Sequence, residues 1–288
     1  MASITLQWPD GTVLPAIGQG TWKMGEDPSQ RKAEIAALQH GLDRGLTLID
    51  TAEMYGEGGA EEVVGAALKG RRDEAFIVSK VYPHNASRKE MIKACDRSLR
   101  RLNIDAIDCY LLHWGSNTPT DEIIEGFMHL QQAGKIKGYG VSNLDDLEME
   151  AWWQHDNGAL CQTDQVLYHL GSRGVEYRLL PLLRERRLPM MAYCPLAQGG
   201  RLRQHLMSSS AVVDVAQRHG VTPQQILLAW VIREQHDQRS VIAIPKAVHP
   251  DHIDDNVAAL DITLTPEDIA LLDHAWPAPT RRQPLDVE

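Results

Sequence analysis

Leu46-Thr-Leu-Ile-Asp50 is a short apolar run that stops on a carboxylate, and Tyr55 follows it closely. The design recurs. Phe76-Ile-Val-Ser-Lys80 stops on an amine, and Ile107-Asp-Cys-Tyr-Leu-Leu-His113 stops on an imidazole. Runs of this length, apolar on both alternating faces, read as strands of a parallel sheet covered on both sides. In a barrel of parallel strands the C-terminal ends converge on one mouth. Asp50, Tyr55, Lys80 and His113, scattered along the chain, can therefore share one pocket.

Working outward, strand and helix alternate. Ile4 to Gln7, the turn Pro9-Asp10-Gly11 and Thr12 to Leu14 read as a β-hairpin placed as a plug across one barrel end. Strands are expected at Ala16–Thr21, Leu46–Asp50, Phe76–Val81, Ala106–His113, Gly138–Ser142, Gln165–Leu167, Pro189–Cys194 and Val241–Ile244. Between and after them, helices are expected at Ser29–Leu42, Glu61–Leu68, Arg88–Leu102, Asp121–Gln132, Glu176–Glu185, Ala211–Arg218, Pro223–Glu234 and Pro250–Leu260. The pattern predicts an α/β fold, a (β/α)8 TIM barrel with an N-terminal β-hairpin plug. No linker breaks the 288 residues and no Gly-x-Gly-x-x-Gly turn follows a strand, so one barrel domain over 1–288 is favoured above a dinucleotide-binding sheet plus a second domain. Residues 277–288 read as a short C-terminal tail.

Composition narrows the function classes. The chain has 43% hydrophobic and 24% charged residues, and 29 Lys and Arg against 39 Asp and Glu give a net charge of −10. That balance argues against nucleic acid or an anionic membrane as partner. Four dispersed cysteines, Cys95, Cys109, Cys161 and Cys194, form no Cys-x-x-Cys pair and fit a reducing cytoplasm. With no His-x-His or His-x-x-x-His pair beside the strand-end residues, no metal is expected. Neither a secretory leader nor an apolar run long enough to span a bilayer is evident.

The chemistry follows from residue type. A phenol is a weak acid with a pKa of about 10, and a nearby ammonium lowers it. Lys80 can supply that charge, and Asp50 can keep a buried Lys80 protonated. His113 can hold a carbonyl by hydrogen bonding. A phenol poised to protonate a polarised carbonyl suits reduction, with Tyr55 as general acid. Alone, each of these residues is better explained as a cap, a rim side chain or a structural histidine; three successive strand ends together outweigh that.

An ordered series of motifs then resembles the aldo-keto reductase superfamily, in its bacterial aldehyde and methylglyoxal reductase-like branch, from about Ile17 to Asn256. The motifs are Gly18-Gln-Gly-Thr-Trp22, Asp50-Thr-Ala-Glu-Met-Tyr-Gly56, Ser79-Lys80, Leu111-Leu-His-Trp114, Gly140-Val-Ser-Asn143, Tyr193-Cys-Pro-Leu196 and Ile244-Pro-Lys246. The resemblance implies Tyr55 as proton donor, Asp50 and Lys80 as its tuning pair, His113 as carbonyl ligand and a dihydronicotinamide as reductant. It implies that Ser142, Asn143 and Gln165 hold the carboxamide, that Tyr193 stacks on the nicotinamide, and that Gly20, Thr21, Trp22 and Asp50 border the cofactor. Leu196, Gln198 and Gly199 are expected beside the pyrophosphate, where glycine permits close approach.

The adenosine end departs from the family pattern. Relatives place Ser after the lysine and Arg six residues beyond it; here those positions are Ala247 and His252. Lys246, His252, Asp255 and Asn256 remain as cofactor-binding candidates, which favours NADPH and leaves NADH as the alternative. Trp22, Tyr55, Tyr82, His113 and Trp114 are expected to wall a substrate pocket. The short tail implies an open site for small aldehydes, including dicarbonyls of the methylglyoxal type. A monomer is expected, and the competing reading is a cofactor-binding redox sensor or regulatory subunit with little turnover.

Overall fold

The computed structural model describes residues 4–288. Within these residues the strands run in order: β1 Thr5–Gln7, β2 Val13–Pro15, β3 Gln19–Gly20, β4 Leu48–Asp50, β5 Phe76–Val81, β6 Ile107–Leu112, β7 Ile136–Ser142, β8 Cys161–Leu167, β9 Met190–Tyr193 and β10 Val241–Ala243. The helices are α1 Arg31–Asp43, α2 Gly59–Ala67, α3 Arg88–Leu102, α4 Thr120–Gln132, α5 Asp146–Trp152, α6 Leu179–Glu185, α7 Gly200–Ser208, α8 Ser210–His219, α9 Pro223–Val231, α10 Pro250–Ala258 and α11 Pro266–Ala275. Strands β3 to β10 pair in parallel in chain order. The edges then meet: Gly18 N donates to Ala243 O at 2.8 Å, Ala243 N to Ala16 O at 2.9 Å and Gly20 N to Pro245 O at 3.0 Å. These bonds close a (β/α)8 barrel.

Closure explains one glycine. A Cβ on Gly20 would stand 2.6 Å from Ile244 O, so only glycine lets the first and last strands approach. Both faces of β5 and β6 are buried along their whole length, because the lumen covers one and the helices the other.

The hairpin β1–β2 lies under the N-terminal ends of the strands. Trp8, 1% exposed, packs on Phe76 with ring centroids 5.1 Å apart and donates to Gln162 Oε1 at 3.0 Å. The plug therefore seals the end opposite the polar strand ends.

Local chemistry sets the helix starts. Ser87 caps α3 by accepting from Glu90 N, and reciprocal capping boxes open α5 at Asp145, α9 at Thr222 and α11 at Thr265. Three helices, α5, α7 and α11, lie outside those that the apolar periodicity predicts. The expected helix from Glu176 splits into a 3-10 turn, Gly174–Glu176, and α6. No helix among the described residues is long and apolar enough to cross a membrane.

Candidate active site

Strand register assembles the site. Gly20 pairs with Asp50, Asp50 with Val78, and Lys80 with Leu111, so Lys80 stands two residues beyond the partner of Asp50 and His113 two beyond the partner of Lys80, all at the C-terminal ends of their strands. Strand residues alternate faces, so Lys80 shares the lumen face with Val78, and its long side chain bends to Asp50. Its neighbour Ser79 points outward, where its hydroxyl donates to the buried Glu61 at 2.6 Å. Arg101 pairs with that glutamate at 2.7 Å.

Lys80 is fully buried. Its Nζ donates to Asp50 Oδ1 and Oδ2 at 2.8 and 2.7 Å, to Thr51 O at 2.9 Å and to the Tyr55 hydroxyl at 3.2 Å. Gln165 Nε2, reaching from the opposite side of the barrel, donates to Asp50 Oδ1 at 2.7 Å. Burial pushes the Asp50 carboxyl up and the Lys80 ammonium down, while their mutual contact works against both shifts.

Tyr55 departs from expectation in one respect. The adjacent ammonium predicts a phenol with a lowered pKa; burial, seconded by Asp50, instead raises it well above its ordinary value. The hydroxyl therefore holds its proton. Because Lys80 donates to the phenolic oxygen, that proton is left to point elsewhere.

His113 stands edge-on to Tyr55, with ring centroids 5.8 Å apart and planes at 77°. Burial, helped by the Lys80 charge, holds its pKa down to about 2, so the imidazole is neutral across the physiological range. Its buried Nδ1 has no hydrogen-bond partner among the described residues.

These ends open on a cavity of about 350 Å³. It is lined by Gly20, Thr21, Trp22, Asp50, Tyr55, His113, Trp114, Ser142, Asn143 and Gln165, and further along by Tyr193, Leu196, Gln198, Lys246, His252 and Asn256. Lys80 lies behind Asp50 and Tyr55 rather than in the wall. Ser142 pairs with Gln165 across β7 and β8, and Ser142 Oγ donates to Gln165 O at 2.7 Å. Tyr193 donates to Asn143 Oδ1 at 2.8 Å, and Asn143 Nδ2 donates to His113 O at 3.2 Å. Since Gln165 Nε2 is committed to Asp50, its Oε1 is the acceptor left for a ligand amide.

Three expected residues do not line this cavity. Tyr82 stacks on His84 at 4.6 Å and meets Trp114 edge-on at 6.0 Å, so it braces the wall from behind. Gly199 has an extended backbone, with φ of 164°, and no atom within 4 Å of a built Cβ, so no close approach within the protein demands glycine there. Asp255 Oδ1 instead accepts from Gln225 Nε2 at 3.3 Å, tying α10 to α9.

Other lining residues escaped the sequence reading, notably Lys23, Met54, Arg203, Gln224 and Glu288. Leu202 and Leu206, four apart, are a helical signal for α7 hidden behind Gly199-Gly200. The tail is folded back: Arg282 donates to Asp145 at 2.8 Å and to Asp146 at 2.9 and 3.1 Å, and Ser172 bonds Asp286. Its last residue, Glu288, meets Tyr193 through its backbone N–H. Among the described residues no group of three or more His, Cys, Asp or Glu side chains could hold a metal ion.

A parallel barrel with an Asp–Lys–Tyr chain and a neutral histidine at its mouth defines an oxidoreductase architecture, and the aldo/keto reductase family model matches residues 16–277. The chain belongs to that family. It is 51% identical over 282 residues to methylglyoxal reductase YeaE of Escherichia coli K12, covering 98% of each chain. It is 30% identical over 275 residues to methylglyoxal reductase DkgA of the same strain, covering 90% of this chain and 89% of that one. An aldo-keto reductase from Klebsiella pneumoniae crystallised with NADPH superposes with a TM-score of 0.96 at 51% identity, covering 100% of both chains.

Proposed function

We propose that this protein reduces small aldehydes and dicarbonyls of the methylglyoxal type to alcohols, with NADPH as reductant and Tyr55 as general acid. The observation that carries the reading is the chain Asp50–Lys80–Tyr55, which runs from the buried lumen to a cavity edge where it meets His113. Two similar proteins named methylglyoxal reductases support the substrate class, and the Klebsiella complex supports the cofactor.

The residues present suit a dinucleotide. Gln165 Oε1 and the Ser142 hydroxyl oxygen offer acceptors for the N–H groups of an amide, and the Tyr193 ring offers a flat face. Lys246 lines the far end of the same cavity with no carboxylate partner among the described residues. When bound, the dihydronicotinamide supplies the hydride equivalent.

The protein's own groups do the rest. The neutral imidazole of His113 and the phenol of Tyr55 hold the carbonyl oxygen. As charge develops on that oxygen, the Tyr55 O–H gives up its proton, and the Lys80 ammonium, already donating to the same phenolic oxygen, stabilises the phenolate left behind. Asp50 keeps Lys80 in place and charged. Trp22 and Trp114 border the reacting carbonyl with apolar surface, which suits a small, uncharged substrate.

In this reading the chain is one barrel domain with its tail at 277–288, acting as a monomer in the cytoplasm. Support for the reducing compartment comes from four free cysteines, three of them buried. The test is to mix protein, NADPH and a panel of aldehydes and follow nicotinamide absorbance. Sustained oxidation over many turnovers with methylglyoxal is expected. A stoichiometric burst or none would support a sensing subunit instead.

A further inference from the structure

Ala247 and His252 leave the adenosine end short of phosphate ligands, yet the cavity wall there contains a guanidinium from elsewhere in the chain. We propose that Arg203 binds the 2′-phosphate of NADPH and sets the preference for NADPH over NADH. This rests on the reduction reading above.

Arg203 sits in α7, which follows the Cys194–Gly199 loop beside the nicotinamide end, and α7 packs against α9. From α9, Gln224 Nε2 donates to Asn256 Oδ1 of α10 at 3.3 Å. Arg203 lines the same cavity as Gln224, Lys246, Ala247, His252 and Asn256. The side chain thus reaches the wall from which the expected serine and arginine are missing.

Its charge has no use within the protein. Arg203 is half-buried and makes no hydrogen bond, ion pair or ring contact among the described residues. Arg173 and Arg233, also shielded from solvent, are both paired with Glu176, at 2.7 and 2.9 Å. A guanidinium stays charged at any physiological pH, and partial burial without a counterion is a cost that a bound anion would relieve. Its planar fork meets two phosphate oxygens at once, as a lysine cannot. Around it, Ala247 offers no side-chain donor, His252 an imidazole in place of a guanidinium fork, and Lys246 a point charge.

The carboxylates near this end are engaged with other partners. Asp255 accepts from Gln225, Asp254 pairs with Arg44 at 3.0 Å, and Asp251 lies 3.6 Å from His249. Glu288 lines the other end of the cavity, by Tyr193.

The experiment measures dissociation constants of NADPH and NADH by quenching of tryptophan fluorescence in full-length wild type, Arg203→Gln, Arg203→Lys and the control Arg201→Gln. In Arg203→Gln, NADPH should bind about 10- to 100-fold more weakly, with NADH changed by less than about twofold, since one decade is ~1.4 kcal/mol. Arg203→Lys should recover part of the loss, and Arg201→Gln, on an exposed part of the same helix, should match wild type. Equal weakening of both cofactors would overturn the proposal by placing Arg203 on the shared pyrophosphate, and unchanged constants would overturn it outright. Wild type that binds neither cofactor would instead sink the reduction reading itself.

Discussion

Lys80 Nζ lies 3.2 Å from the Tyr55 hydroxyl oxygen and donates to it. The direction of that bond matters more than its length. A phenol that accepts from an ammonium must aim its own proton away, and the cavity is the open side.

Tyr55→Phe removes the acid while leaving the wall nearly the same shape. Aldehyde reduction should fall by a factor on the order of 10² to 10⁴, the usual contribution of a positioned general acid. NADPH affinity should hardly change. Steady-state kinetics beside a binding titration check both, and near-normal turnover would refute the assignment.

Lys80→Met should cost fold as well as rate. It strands Asp50, 2% exposed, without its counterion. Breaking a buried pair in this way costs roughly 3–5 kcal/mol. Asp50→Asn added to Lys80→Met should restore part of the melting temperature but none of the turnover; recovery of turnover would show that the ammonium is not needed at Tyr55.

For His113 the pH dependence has a definite sign. Its pKa is held down to about 2 in the fold. In the unfolded chain it returns to about 6.5. Between those values the unfolded state binds the extra proton, so the contribution of His113 to stability is complete above about pH 6.5 and is lost as pH falls below it. Denaturant titrations from about pH 4 to pH 8 should show a shallower acid loss in His113→Phe than in wild type. Identical slopes would mean that the imidazole is charged in the fold.

Asp164 is a cost carried by β8. It is fully buried, no side chain pairs with either carboxyl oxygen among the described residues, and burial drives its pKa far up. The Leu144 amide, the one group that opposes this rise, is too weak to reverse it. The fold therefore keeps a proton that the unfolded chain releases above about pH 3.9. Stability is full below that value and declines as pH rises while the folded carboxyl stays protonated. Asp164→Asn should melt higher than wild type, by a margin that widens from about pH 4 to pH 8; a constant margin would show that Asp164 does not titrate there.

Much of the site was legible because each strand end carries its own chemistry. Asp50, Lys80 and His113 terminate apolar runs, and parallel topology then sends them to one mouth. Tyr193, Ser142 and Gln165 became candidates only through the family resemblance, and all three line the cavity. Tyr82, Gly199 and Asp255 lie outside the cavity lining. Position along a loop or helix does not tell on which side a side chain leaves it, and Tyr82 turns behind Trp114 while Asp255 turns to Gln225.

By itself, the amino-acid sequence determined the eightfold strand–helix rhythm, the plug hairpin and the family, because these are local patterns of burial and residue type. Only the tertiary structure decided what depends on distant segments meeting. Gln165 reaches Asp50 across the barrel, burial and the Asp50 charge raise the Tyr55 pKa, the tail brings Glu288 to Tyr193, and α7 places Arg203 in the cavity wall. Desolvation and cross-barrel contacts are properties of the closed fold, and no local stretch of sequence carries them.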